Sequence, residues 1–112
     1  MRQLDLKYPT CPIRNILSRF SDKWSLLILI SLETGGIMRY KHLNDAIPDI
    51  SQKVLSGTLK RLEEDKLIIR KAYAKVPPRV ECSLTKMRRD ISPAVQLMIR
   101  WAHENFEEIV NK

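Results

Sequence analysis

The chain reads as an α+β protein, mostly helical, in which a series of helices is followed by a two-stranded ribbon and one long closing helix. Three observations predict this. Apolar residues recur at helical spacing from Cys11 to Leu62, two short β-rich runs flank Val76-Pro77-Pro78-Arg79, and an apolar-faced segment extends from Thr85 towards the end. At 112 residues with 44% apolar side chains, a single domain over 1–112 with a real core is expected.

Cys11-Pro12, followed by Ile13, Ile16, Leu17 and Phe20, predicts a short first helix with Pro12 at its first position, where a missing N–H matters little. Ser21 is the expected cap of a second helix reaching about Glu33. That helix is apolar on nearly every side through Trp24, Leu26, Leu27, Ile28, Leu29, Ile30 and Leu32, so it should run through the centre until Gly35-Gly36 ends it. A third helix is predicted from about Tyr40 to Ile47, with Leu43, Ala46 and Ile47 inward and Pro48-Asp49 closing it as a turn. Ser51 then caps a fourth helix. Its Val54, Leu55, Leu59 and Leu62 form the inward stripe and leave Gln52, Lys53, Ser56, Gly57 and Lys60 outward. Two helices across a short turn make a helix-turn-helix.

Ile68 to Ala74 and Val80 to Leu84 read as strands of a hairpin whose connection is too rich in proline to be helical. Thr85 is the expected cap of the last, long helix. Its Ile91, Val95, Met98, Ile99, Trp101, Ala102, Phe106, Ile109 and Val110 offer more apolar surface than one small domain covers, so the surplus should meet a partner subunit.

Twenty Lys and Arg against 13 Asp and Glu give a net charge of +7, which calls for an acidic partner. Arg39 to Arg89 holds 13 basic and 6 acidic side chains and so carries the whole excess, as a binding footprint would. The first ten residues are mixed and charged, unlike a secretory signal, and the apolar run from Trp24 to Leu32 is far shorter than the roughly 20 residues of a membrane span. A cytoplasmic protein without membrane contact, its Cys11 and Cys82 as free thiols, is expected.

A basic amphipathic helix feeding a basic hairpin suits double-stranded DNA. On the fourth helix, Gln52 has the bidentate geometry for adenine, Lys53 and Lys60 reach phosphates or guanine edges, and Ser51 and Ser56 suit either. Gln52, Lys53 and Ser56 are the expected base readers. Gly57 costs a mid-helix position about 1 kcal/mol relative to alanine. It is either a place where backbone approaches DNA or a tolerated residue. Lys75 and Arg79 bracket the prolines of the ribbon tip and suit phosphate or the minor groove, Arg79 having Glu81 or Glu64 as the structural alternative. Arg39 and Lys41 are either phosphate contacts or solvated cations.

CPIRNILSRFSDKWSLLILISL, MRYKHLNDAIPDIS, VLSGTLKRLEEDKLI and VPPRVECSLT together resemble the HxlR-type winged helix-turn-helix regulators of bacteria, relatives of the MarR type, over roughly Cys11 to Trp101. The resemblance implies a homodimeric transcriptional regulator, a repressor by family habit, bound to a near-palindromic operator. Its fourth helix would lie in the major groove and its ribbon, the wing, beside the minor groove; pairing of the two copies through the last helix and the first is expected from the surplus apolar face. The resemblance also implies a cysteine at position 11 that senses oxidants or electrophiles in some members. A thiol at a helix start feels the positive end of the helix, which favours thiolate, while the plain alternative is a packed, inert cysteine. No inducer is indicated. The chain departs from the family pattern at Asp49 and Arg88, each in place of a glycine, and at Cys82 in place of a tyrosine. Asp is one of the few residues suited to a left-handed turn, if position 49 needs one.

Cys82 alternates with Val80 and Leu84 and reads as a core residue. His42 and His103 have no partners at metal-ligand spacing and read as surface polar residues, so no metal or cofactor is expected. The sequence has no glycine-rich phosphate loop or nucleophile elbow, and enzymatic activity is not expected. The competing functional class is a winged-helix protein-interaction module without specific DNA binding, a reading that the retained Gln52, Lys53 and Lys60 disfavour.

Overall fold

A computed structural model describes residues 7, 10–20, 22–74 and 77–111; Ser21 and Lys75, a predicted cap and a predicted DNA contact, lie outside the described residues. The elements run α1 (Pro12–Phe20), α2 (Lys23–Gly35), β1 (Met38–Arg39), α3 (Tyr40–Ala46), α4 (Gln52–Glu64), β2 (Ile68–Tyr73), β3 (Arg79–Leu84), α5 (Lys86–Arg89) and α6 (Ser92–Val110). The architecture is mostly helical with a small antiparallel sheet of order β1-β3-β2, which is the predicted winged helix-turn-helix with one strand more than expected. β1 is only two residues long, Met38 opposite Cys82 and Arg39 opposite Glu81, too short to leave a period in the sequence.

The core forms where four apolar stripes converge. Ile28, Leu29 and Leu32 of α2 meet Leu43 and Ile47, Leu55, Leu59 and Leu62 of α4, and Ile68, Cys82 and Leu84 of the sheet. α2 buries one face, Ser25-Ile28-Leu29-Leu32, whereas Leu26, Leu27 and Ile30 remain half-buried, so the helix is central on one side only. Its cap is Asp22, whose carboxylate accepts from the Ser25 N–H. Gly36 ends it with φ of 76°, a left-handed turn that favours glycine.

Four expectations are corrected. Ala46 is exposed, because α3 is too short to turn it beneath Leu43 and Ile47. Val54 is 37% exposed, because the buried stripe of α4 runs Leu55-Thr58-Leu59-Leu62 and leaves Val54 on its flank. Asp49 needs no left-handed backbone; among the described non-glycine residues only Lys66 has positive φ. Thr85 caps not the long helix but the four-residue α5, accepting from the Arg88 N–H and donating to the Lys66 carbonyl. α6 restarts at Ser92, where Pro93 has no N–H to continue the preceding turn.

Lys66 completes a Schellman motif that stops α4: its own N–H bonds the Glu63 carbonyl at 2.9 Å and that of Leu67 bonds Leu62 at 3.0 Å. The chain is thereby turned sharply from α4 into β2. The ribbon is in register from Ile68 opposite Leu84 to Tyr73 opposite Arg79. α6 buries none of its residues, and no helix among the described residues is long and apolar enough to cross a membrane.

Candidate nucleic-acid interface

α4 is held by its buried stripe and by three polar ties. Ser51 Oγ accepts from the Val54 N–H at 3.1 Å, so one lone pair of this hydroxyl, expected at DNA, is committed to the cap while its proton stays available to donate. The turn before it is pinned by Ile50, which is buried, and by Asn44 Nδ2, which donates to the Ile50 carbonyl. Arg61 Nη2 donates to Ser25 Oγ at 2.7 Å and to Asp22 Oδ1 at 3.1 Å, fastening α4 to the start of α2. Burial opposes ionisation of Asp22, but the Ser25 hydrogen bonds and the Arg61 charge outweigh it and hold the carboxyl below its ordinary range.

Gln52, Lys53, Ser56, Gly57 and Lys60 all lie exposed on the outward side of α4, as predicted. A Cβ at Gly57 would meet nothing within 4 Å, so no neighbour in the chain requires glycine there. Lys53 and Lys60 form no ion pair among the described residues, whereas nearby carboxylates are neutralised: Asp49 by Lys23, Asp65 by Arg19, Glu63 by Arg70 and Glu81 by Arg79. The exposed Glu64 marks the acidic end of this side, so the cationic surface belongs to the N-terminal turns.

The base of the wing is tied to both helices of the helix-turn-helix. Arg70 donates through Nε and Nη2 to Glu63 Oε1 at 3.0 and 2.8 Å and through Nη1 to Tyr40 Oη at 3.0 Å. These bonds, to Glu63 first and then Tyr40, push the guanidinium's pKa further above its ordinary value and lock β2 against α3 and α4. Neither Arg61 nor Arg70 was singled out in the sequence, where each reads as one cation among many. A cation at helical spacing inside an apolar stripe was the signal for Arg61; Arg70 left none.

Arg39, Lys41 and Arg79, distant in sequence, come together. With Tyr40, Pro78 and Val80 they line an open notch of about 380 Å³ between the start of α3 and the wing. Arg39 and Lys41 are exposed. Arg79 is half-buried, its guanidinium 4.5 Å from the centre of the Tyr73 ring and its Nε 3.8 Å from Glu81, so the structural partner considered for it is present. His42 is exposed and accepts the Arg39 N–H on Nδ1, and His103 is exposed on α6; no metal-binding group occurs among the described residues.

Cys11 lies immediately before α1, its carbonyl accepting the Asn15 N–H, and is buried. Cys82 is fully buried in β3, and desolvation pushes its thiol up to about 11, as suits the core role read for it.

The profile of the HxlR-like helix-turn-helix family matches residues 19–110. The HTH-type transcriptional regulator YtfH of Escherichia coli K12 is 36% identical over 100 residues, covering 89% of this chain and 79% of its own. Among solved structures, a protein of Porphyromonas gingivalis W83 assigned to the MarR family of transcriptional regulators is 37% identical with a TM-score of 0.79, covering 93% of this chain and 99% of its own. The redox regulator HypR in its reduced form is 30% identical with a TM-score of 0.82, covering 90% of this chain and 99% of its own. The chain therefore belongs to the HxlR family of winged helix-turn-helix, DNA-binding transcriptional regulators.

Proposed function

We propose that the protein is a homodimeric, sequence-specific repressor acting in the cytoplasm on a near-palindromic operator, with α4 in the major groove and the wing beside the minor groove. The observation that carries this reading is the side of α4 formed by Gln52, Lys53, Ser56, Gly57 and Lys60, exposed and, at Lys53 and Lys60, without an ion pair among the described residues. Gln52, Lys53 and Ser56 read base edges; Lys60, the Ser51 hydroxyl and, at the notch, Arg39, Lys41 and Arg79 hold phosphates. Lys75, which follows β2 in sequence, is read as one more cation for the DNA backbone. The half-exposed end of Arg79 reaches the backbone while Tyr73 and Glu81 orient it.

Two copies pair through the apolar faces of α6 and α1, which are exposed at Trp101, Phe106, Leu97, Ile13, Ile16 and Leu17. Their recognition helices then lie about one DNA turn, roughly 34 Å, apart. Cys11 is the thiol through which oxidants or electrophiles release the operator. Support comes from its place at the start of α1, beside the pairing face, and from likeness to HypR, a redox regulator solved in reduced and oxidised forms. Its burial restricts it to small reagents.

The test is binding of the purified protein to DNA from upstream of its own gene across a salt series, with and without Cys11→Ser. The expected result is specific binding whose log K falls by about 0.9 per neutralised phosphate per decade of salt and which diamide relieves only in the wild type. Diamide release that survives Cys11→Ser removes the switch; no preference over competitor DNA removes the operator reading.

A further inference from the structure

Val54 stands apart from the other residues of α4. Among the described residues, the large hydrophobic side chains left exposed gather mainly on α1 and α6, and Val54, at 37%, is the one exposed on α4. It sits in the first turn, on the flank of the buried stripe that it shares with Gly57 three residues on. Its N–H is fixed by the Ser51 cap, and one turn further on Gly57 leaves open space where a side chain would otherwise stand. A helical valine is nearly confined to one rotamer, so its two methyls are presented rigidly and little entropy is lost when a ligand covers them.

A side chain without donor or acceptor cannot satisfy the polar edges of guanine, adenine or cytosine, and covering those edges would leave them unpaired. The 5-methyl group of thymine is the apolar feature of the major groove. We propose that Val54 is a specificity-determining residue that recognises a thymine methyl in each operator half-site. This rests on the reading of α4 as the major-groove helix and adds to it the base class that one position selects.

The experiment starts from an operator selected from random duplex DNA by the purified protein. Each thymine is then exchanged singly for deoxyuridine, which removes only the methyl. Wild type is expected to bind about fourfold more weakly when one particular thymine of the half-site is exchanged, the loss for one buried methyl. Val54→Ala, which removes the contact in both half-sites of the dimer, should bind the thymine operator about sixteenfold more weakly and be indifferent to that exchange, whereas Lys53→Ala should keep the wild-type response to it. Unchanged circular dichroism shows that Val54→Ala is folded. A selected operator at which no exchange separates wild type from Val54→Ala overturns the inference while leaving α4 a DNA reader. Selection of no sequence at all overturns both.

Discussion

Gly57 shows how a single residue's cost can be separated from its use. Nothing in the chain occupies the space of its missing side chain, so Gly57→Ala should stabilise α4 by about 1 kcal/mol, seen as a rise of several degrees in Tm. The same substitution should weaken operator binding if backbone approaches DNA there; unchanged affinity with a raised Tm would make Gly57 merely tolerated. At Cys82 burial sets a pH dependence. The unfolded thiol ionises near its ordinary value while the folded one is pushed up to about 11. The unfolded state therefore loses the proton first. The stability due to this group is complete below the ordinary thiol range and declines as pH rises towards 11, a decline that Cys82→Ala should lessen in urea titrations at pH 8 and pH 10.5.

Between elements, the buried ion pair of Arg88 with Glu33 is the joint on which α6 turns. Arg88 Nη1 donates to Glu33 Oε1 at 3.1 Å and Ser92 Oγ donates to the same oxygen at 2.9 Å, joining the end of α2 to α5 and the start of α6. Removing one partner strands the other charge in a nearly dry site. Arg88→Ala should cost roughly 3–5 kcal/mol by urea denaturation, whereas Arg88→Met with Glu33→Leu should recover most of that loss. The Arg61 tie to Asp22 and Ser25 is more exposed and contributes orientation of α4 more than stability.

At the scale of the whole molecule, an isolated chain leaves Leu97, Met98, Trp101, Phe106, Ile109 and Val110 exposed on α6. So much apolar surface in one helix is the expected half of a subunit contact. Trp101→Glu combined with Phe106→Glu should give a folded monomer by sedimentation, with near-native circular dichroism because both side chains are exposed in the single chain, and with operator binding largely lost. A dimer that survives both charges would place the pairing surface elsewhere.

The winged helix-turn-helix, the outward side of α4 and the surplus apolar face of α6 were legible in the residues because each rests on a local period: 3.6 for helices, 2 for strands, with caps and prolines as punctuation. The same patterns misplaced Val54 and Ala46, since a stripe in sequence shows which side of a helix is apolar but not how much of it neighbours cover. They also gave the long helix the cap that belongs to α5. Only tertiary structure decided that Arg39, Lys41 and Arg79 share a notch, that Arg61 and Arg70 are spent on fastening α4 and the wing, and that Glu33 and Arg88 meet. Which cation pairs and which stays free depends on distances closed by the fold across tens of residues, and no local period records those.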